Sequence, residues 1–203
     1  LGTFTTTDQT INPAALSGKV EFTRELIDKA GPEVQGLVWR QMVRSWDTAA
    51  EARLATLFNG LSATGAVALV GVDKTLAADV SNELLDLTDA ERYSVLAAPS
   101  DMFKALANAR DDDGRLLFPA FAPTNADGQR TAFRTIEGPN GLRIVHCPTL
   151  TQGVLIDPTG VYQWLSAPRR LDFDIQVKSV YMGLWGYSAE AIIDSSAVKV
   201  VTY

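Results

Sequence analysis

The residues with the clearest chemical potential are the single histidine and the single cysteine of the chain, which are adjacent as His146 and Cys147. Neighbouring side chains on a strand point to opposite faces, so this pair cannot share a proton there as nucleophile and base. We therefore predict that Cys147 is a small core residue at a strand end and that His146 lies at the surface or the boundary. Scattered carboxylates such as Glu21, Glu25 and Asp28 could form an acid–base pair, but their spacing selects none.

Two other stretches have the spacing of ligand-binding loops without the binding residues. Residues 60–65 carry the two glycines of a phosphate-binding loop, but Ala and Val follow where Lys and Ser or Thr would hold phosphate and magnesium. With Gly114 at the sixth position of a calcium loop, Ala109 and Ala120 occupy the first and twelfth positions, where oxygen ligands are needed. We predict a helix stop and a solvated turn at these places, and no metal, cofactor or catalytic cleft.

The composition is that of an ordinary folded chain of 203 residues, with 46% hydrophobic and 21% charged residues. Eighteen Lys and Arg against 24 Asp and Glu give a net charge of −6, which disfavours tight nucleic-acid binding because counterion release needs clustered cations. One cysteine excludes an intramolecular disulfide framework and suits a reducing cytoplasm. No signal peptide or membrane-spanning run is visible. The absence of an initiating methionine suggests a processed chain or a fragment.

The first third of the sequence predicts a strand followed by a long helix. Residues 19–23 alternate polar and apolar as a half-buried strand does. Gly31 and Pro32 break this pattern, and no Gly other than Gly36 follows before Gly60, so we predict one continuous helix from Pro32 to about Asn59. Its apolar residues form two lines, which predicts packing on more than one side. The first line is Val34, Val38 and Met42, and the second is Trp39, Val43, Trp46 and Leu54.

The middle of the chain alternates strands and helices. The apolar run 66–72 predicts a fully buried strand, and residues 75–87 predict a helix that buries Leu76, Val80 and Leu84. A buried strand at 94–98 leads into a helix through Ala109, for which Ser100 is the expected N-cap and Met102, Phe103 and Leu106 the core face. Residues 119–129 predict an irregular loop.

The last third predicts strands joined by turns at 138–141, 152–153 and 157–160. The alternation over Phe173–Tyr181 predicts one long strand, and Ala197–Val201 predicts a final one. The fold class is therefore α+β.

Four segments in order resemble the major capsid proteins of tailed bacteriophages, which have the Hong Kong 97 capsid fold. They are Ser17–Asp28 with the helix ending at 58–60, the segment Ser94–Phe103 running into 112–119, the strand entry Gly141–Val145, and the stretch Asp172–Tyr203. None is a strict signature, but together they cover nearly the whole chain.

The resemblance implies a peripheral subdomain at 1–62 with the spine helix, an axial subdomain at 63–165, a returning long strand at 166–185 and a closing segment at 186–203 in the axial subdomain. It implies a non-enzymatic shell protein that forms pentamers and hexamers and encloses double-stranded DNA without specific binding. Its place would be the virion, after assembly in the host cytoplasm. Two alternatives remain open, an encapsulin-type nanocompartment shell and a small unrelated enzyme.

The resemblance also implies where copies meet. The loop entering the long strand, 167–174, approaches a local threefold axis in the family. Candidate inter-subunit contacts are Arg169, Arg170, Asp172 and Asp174, and the alternative is that this segment is a solvated turn. The family's N-terminal arm and extended loop precede the strand at residues 17–27, so we expect that this chain alone does not close shells. The crosslinking chemistry of some members is not implied, because no Asn follows Asn140.

Overall fold

A computed structural model describes residues 10–71, 74–87, 90–110, 112–114, 117, 135–138, 141–173 and 179–203. Among these residues, ten strands and three helices are present. In chain order they are β1 Ala14–Thr23, α1 Arg24–Asn59, β2 Val67–Ala68, α2 Lys74–Leu85, β3 Val95–Ala98, α3 Ser100–Asn108, β4 Thr135–Glu137, β5 Arg143–His146, β6 Gly153–Ile156, β7 Val161–Leu165, β8 Arg169–Phe173, β9 Ser179–Ile192 and β10 Val198–Thr202.

The chain divides into two compact units. The first unit comprises Leu1–Leu54 and Gln163–Ala191, and the second comprises Ala55–Tyr162 and Ile192–Tyr203. The predicted subdomain boundaries follow residues 62, 165 and 185, whereas the boundaries between the compact units follow residues 54, 162 and 191. The identification of the units as peripheral and axial stays a prediction.

The first unit is a four-stranded sheet with one helix on one face. Strand β9 lies in the middle, pairing antiparallel with β1 over ten residues on one side and with β7 and β8 on the other. Alternate β9 residues face α1, because successive strand side chains point to opposite faces. Met182 and Leu184 form a core cluster there with Phe22, Met42 and Trp46.

Helix α1 has 36 residues and begins at Arg24, eight residues before the predicted start at Pro32. The prediction of one continuous helix to Asn59 is confirmed, but its beginning was wrong. The Thr23 hydroxyl accepts a hydrogen bond from the Leu26 amide at 3.3 Å, which is an N-cap directly at the end of β1. The helix therefore begins directly after Thr23, and Gly31 and Pro32 lie within it.

The predicted packing of α1 on more than one side is wrong for the part that belongs to the first unit. Both apolar lines converge on one cluster, since Val38 and Met42 from the first line and Trp39, Val43 and Trp46 from the second all pack in it. Residues three and four apart share one face of a helix, so the two lines make a single broad stripe. The buried stripe continues at Ala50, so the helix is not solvated beyond Trp46.

The second unit is a six-stranded mixed sheet in the order β2-β10-β6-β3-β5-β4. Helices α2 and α3 contribute their apolar residues to its main core. Each of the six strands, β10 included, also contributes at least one residue to this core. The predicted core residues of these helices, Leu76, Val80, Leu84, Met102 and Leu106, are all buried, as expected. Phe103 is partly buried against the same core.

Two predictions about the second unit need correction. The apolar run 66–72 is not a buried strand, because β2 has two residues and Val70 is 83% exposed. The backbone at Gly71 passes close to α2, since an added Cβ would lie 2.6 Å from the Leu76 amide nitrogen. Ser100 is not the N-cap of α3 but its first residue, and Pro99 stands at the cap without a side-chain bond.

The predicted strand Phe173–Tyr181 is also wrong. Phe173 ends β8 and pairs across an antiparallel ladder with Tyr181 of β9, so the two residues belong to neighbouring strands. An alternating pattern predicts strand conformation but cannot show that the chain reverses within it. The loop predicted at 119–129 lies outside the described residues. The final strand, β10, is confirmed to within one residue at each end.

Candidate inter-subunit surface

The proposed contact residues lie on an edge strand and not on a loop. Arg169, Arg170 and Asp172 belong to β8, which pairs antiparallel with β9. Asp174 lies outside the described residues. Because strand side chains alternate, Arg169 faces one side of the sheet, and Arg170 and Asp172 face the other. The structure therefore separates the two arginines instead of combining them in one cluster.

Arg170 and Asp172 already pair within the chain. The Arg170 Nε donates to both carboxylate oxygens of Asp172 at 3.0 Å, and a terminal guanidinium nitrogen donates to the Gln35 side-chain oxygen at 3.2 Å. Gln35 belongs to α1, so Arg170 and Asp172 lie on the helix side of the sheet. Both remain part-exposed, and an exposed pair of this kind contributes about 0–1 kcal/mol.

The opposite side of the same sheet carries aromatic residues, which the sequence analysis did not single out. Trp185 and Tyr187 of β9 meet edge to face at 5.4 Å between ring centroids. The Arg169 guanidinium lies 5.5 Å from the Trp185 ring, and the Lys19 ammonium lies 5.7 Å from the Tyr181 ring, both within cation–π range. We call this side of the sheet the aromatic face. The alternation of residues along β9 could have indicated it, but the sequence pattern joined the start of β9 to β8 in a single predicted strand.

An apolar groove of about 340 Å³ lies beside the edge of β1 that no described strand pairs with. Five consecutive residues, Leu16–Val20, line it, so one wall is the strand edge itself, since side chains of consecutive residues point to both faces. The other wall is α1, where Val38, Met42 and Trp46 supply apolar surface and Gln41 and Ser45 supply polar groups.

The second unit contains an ionic cluster that the sequence analysis missed. Arg92 donates from Nε to Asp157 at 2.9 Å and from a terminal nitrogen to Asp194 at 2.7 Å. Each carboxylate also closes a local turn, Asp157 with the amide and hydroxyl of Thr159 and Asp194 with those of Ser196. The signal available in the sequence was the repeated Asp-x-Thr and Asp-x-Ser pattern of such turns.

These contacts lower the pKa values of both carboxyls. The hydrogen bonds from Thr159 have the largest lowering effect on the pKa of Asp157, and the bond from Arg92 has a smaller one. For Asp194, hydrogen bonds from Ser196 and Arg92 lower the pKa to about 2. The two carboxylates in turn raise the pKa of Arg92 above its ordinary value. The cluster is fully paired, so it ties three turns together and offers no open ligand position.

His146 is a satisfied boundary residue, as predicted. Its Nε2 lies 3.0 Å from the Ser100 hydroxyl and its ring lies 5.0 Å from the Phe103 ring. Cys147 is half-buried and stands outside the core cluster, so its prediction as a core residue is wrong. Its amide donates to the Ala98 carbonyl at 2.9 Å, which extends the ladder past β5.

In the part of the chain that the structure describes, no three His, Cys, Asp or Glu side chains lie close enough to hold a metal ion. None of the described helices is long and apolar enough to cross a membrane.

Comparison with known proteins yields structural relatives alone. No protein-family model matches the sequence, and no curated protein matches it. The capsid of an empty GTA particle, computed with C5 symmetry, is similar over 95% of this chain and 72% of its own, with a TM-score of 0.68 and 16% identity.

Two further structures have similar extents. The chain from Gordonia phage Cozz has a TM-score of 0.61 and 14% identity over 96% of this chain and 71% of its own. The holo-SrpI encapsulin complex from Synechococcus elongatus PCC 7942 has a TM-score of 0.64 and 13% identity over 94% and 73%. At these identities the likeness establishes the fold, and this chain therefore has the Hong Kong 97-like fold of phage capsid proteins.

Proposed function

We propose that this protein is the major capsid protein of a tailed bacteriophage or prophage, a structural subunit of an icosahedral shell that encloses double-stranded DNA. The observation that carries the proposal is the match of the whole fold, over 95% of the chain, to a capsid subunit with a TM-score of 0.68. The work of such a subunit is mechanical, so the proposal includes no catalysis and no cofactor.

The charge of the chain is consistent with enclosing DNA without specific binding. A net charge of −6 gives little counterion release on contact with DNA, so the packaged molecule is retained by closure of the shell. The proposal also includes pentamers and hexamers of this chain, a location in the virion, and assembly in the cytoplasm of the host. Within each subunit, the first unit would be peripheral and the second axial.

An encapsulin-type shell is the second candidate, and the match to the SrpI encapsulin complex is the observation that favours it. The two candidates share one fold and differ in their contents, since an encapsulin encloses protein cargo instead of a genome. Fold comparison therefore cannot separate them, whereas analysis of the contents can.

The test is to express the complete gene in its natural host, isolate particles by sedimentation and image them. A capsid protein gives closed shells whose DNA survives nuclease treatment. Closed shells that hold protein and no protected DNA would establish the encapsulin candidate and exclude the capsid one. A chain that forms no closed particle under these conditions would contradict both.

We keep the β8 segment as the proposed meeting point of neighbouring capsomers, with Arg169 as its leading residue. Arg169 is exposed and stacks on Trp185, while Arg170 already pairs with Asp172 within the chain. The charges would fix register between copies more than they add strength, because exposed pairs contribute about 0–1 kcal/mol each. Asp174 would be the further carboxylate partner.

Charge reversal at both arginines tests this proposal. In the full-length protein, Arg169→Glu with Arg170→Glu should reduce the yield of closed shells at least tenfold while the subunit stays folded by circular dichroism. The control is Lys104→Glu with Arg143→Glu, which makes the same change in net charge at exposed positions of the second unit. Equal shell yields from the two variants would refute the assignment of β8.

A further inference from the structure

The last residue of α1 ties the end of the helix to the loop between β5 and β6. The Asn59 side-chain nitrogen donates to the Thr149 carbonyl at 3.1 Å. The Asn59 side-chain oxygen accepts from the Thr151 amide at 2.9 Å and from the Thr151 hydroxyl at 3.1 Å. We call these three hydrogen bonds the Asn59 clamp. All three residues belong to the second unit, so the clamp lies within one compact body.

The clamp uses both the donor and the acceptor of the Asn59 amide. An ionised aspartate accepts hydrogen bonds but donates none, so at this position it would set a negative oxygen against the Thr149 carbonyl. It would also add a negative charge at the C-terminus of α1, where the helix dipole is already negative. Replacement of this amide by a carboxylate therefore removes one bond of the clamp and adds two repulsions.

The residue after Asn59 makes the same amide chemically labile. It is Gly60, which has no Cβ to hinder attack by its backbone nitrogen on the Asn59 side-chain carbon Cγ. A new C–N bond then closes a five-membered succinimide, and the side-chain nitrogen leaves as ammonia together with the proton of the backbone amide. Water opens the ring at either carbonyl and gives aspartate or isoaspartate. Water is thus the sole co-reactant of this deamidation.

The fold restrains both atoms that must meet in this reaction. The Gly60 backbone nitrogen donates to the Thr56 carbonyl at 3.1 Å, which holds it in the hydrogen-bond pattern of the helix. The Asn59 side chain is held by the clamp. Ring closure therefore requires a local opening that breaks both sets of hydrogen bonds. The rate of deamidation should follow the population of that open form.

We propose that Asn59 is a deamidation site that the clamp keeps unreactive, and that its conversion to aspartate or isoaspartate loosens the loop between β5 and β6 from the end of α1. The product cannot donate to the Thr149 carbonyl, so the clamp does not re-form and each local opening that reacts is recorded permanently. The proposal depends on contacts within one subunit. It requires neither a closed shell nor a partner, and its tests use the isolated subunit.

Peptide mass spectrometry after incubation at mildly alkaline pH tests the protection. Deamidation at Asn59 should be at least about tenfold slower in the folded protein than in the same protein unfolded in guanidinium chloride. Asn108 is the internal reference, because it also ends a helix, donates to the Lys104 carbonyl of that helix and is followed by Ala109. In the unfolded chain Asn59 should react faster than Asn108. Equal rates at Asn59 in the folded and unfolded protein would overturn the proposal.

Two threonine variants test the role of the clamp itself. Thr151→Val removes the hydroxyl that donates to Asn59 and should speed deamidation in the folded protein at least about threefold, with no change in the unfolded chain. Thr149→Val is the matched control, because Thr149 contributes its carbonyl to the clamp. Gly60→Ala should slow the reaction in the unfolded chain, and the folded chain accepts it, since the added Cβ meets two carbonyl oxygens at an ordinary 3.5 Å. Equal folded-state rates for the two threonine variants would refute the clamp.

Asn59→Asp reproduces the aspartate product and tests its effect. Amide hydrogen exchange at Thr151 should become at least about fivefold faster, because the repelled carboxylate no longer holds the loop. Asn108→Asp is the control, since it adds the same charge at the end of α3, where the side chain contacts its own helix. It should leave exchange at Thr151 unchanged. Unaltered exchange at Thr151 in Asn59→Asp, or an equal change in both variants, would overturn the proposed release of the loop.

Discussion

The two sheets of this protein differ in how their edges are finished. The sheet of the second unit ends on one side in β2, with two residues, and on the other in β4, with three. The sheet of the first unit ends in β1, with ten residues in continuous register. Short edge strands offer few unpaired backbone groups to another chain, and a long flat one offers many. Among the described residues, the second unit therefore offers few unpaired edge groups, and β1 of the first unit offers more.

The cores differ in the same direction. The main cluster of the second unit contains sixteen buried residues, and Ala98, Leu106 and Ile144 are completely inaccessible. The corresponding cluster of the first unit contains five. Its aromatic face leaves Tyr187 and Leu171 exposed by 46% and 42%. The second unit thus has the larger buried cluster among the described residues, although Val70 and Leu85 of that unit are also exposed.

Truncation of a core leucine in each unit should give the largest contrast. Leu106→Ala in the closed core should destabilise the protein by about 3–5 kcal/mol, because the cavity cannot collapse. Leu184→Ala should cost less, about 2–3 kcal/mol, because Leu184 borders the groove and its removal enlarges an open space. Urea unfolding measures both values. A larger loss for Leu184→Ala than for Leu106→Ala would show that the first unit is the better-packed one.

Two glycines sharpen the contrast at the level of single atoms. An added Cβ at Gly160 in the second unit would lie 2.2 Å from the Ala197 Cβ. We expect Gly160→Ala to destabilise the protein by about 1–3 kcal/mol through overpacking. Gly18→Ala in β1 meets no atom within 4 Å and should change the stability of the monomer by less than about 1 kcal/mol. Thermal unfolding of dilute samples tests both, and equal losses would contradict the difference in packing.

The ionic cluster should make the second unit sensitive to acid. The pKa values of Asp157 and Asp194 are lowered in the folded state, that of Asp194 from 3.8 to about 2. A lowered carboxyl pKa stabilises the fold above the unfolded value and loses that effect as the pH falls through the folded one. The melting temperature should therefore fall between about pH 4 and pH 2, and less steeply in Asp194→Asn.

A carboxyl titration supplies the control. Arg92→Ala should raise the pKa values of both aspartates. The rise should be partial, because the hydrogen bonds from Thr159 and Ser196 remain in this variant. Nuclear magnetic resonance of the two carboxyl groups measures this directly. Identical melting profiles for the wild type and Asp194→Asn would show that the cluster contributes nothing to acid stability.

The elements with local signals could be predicted from the sequence. Spacing at four residues identified the buried residues of α2, and the alternation near the C-terminus identified β10 to within one residue. The resemblance of four ordered segments supplied the fold, which no single motif carried. These signals are short in range, and so they survive without knowledge of the tertiary structure.

The predictions that were wrong or missing share one physical cause. Each depends on contacts between residues that are far apart in the sequence. The reversal between Phe173 and Tyr181 depends on a ladder that alternation alone does not specify. The two lines of α1 seemed to require two layers until their partners on one sheet were known. Arg92 and Asp194 are far apart in the sequence, so no local pattern predicts that they pair. The groove beside β1 is likewise a product of packing.

Amide hydrogen exchange along β1 tests the central difference between the two sheets most directly. In dilute solution, amides of β3 and β6 should be strongly protected, and those of β1 should alternate between residues bonded to β9 and residues at the open edge. Central amides of the second unit should therefore exchange more slowly than the outward amides of β1. Uniform protection of β1, equal to that of β3 and β6, would contradict the account.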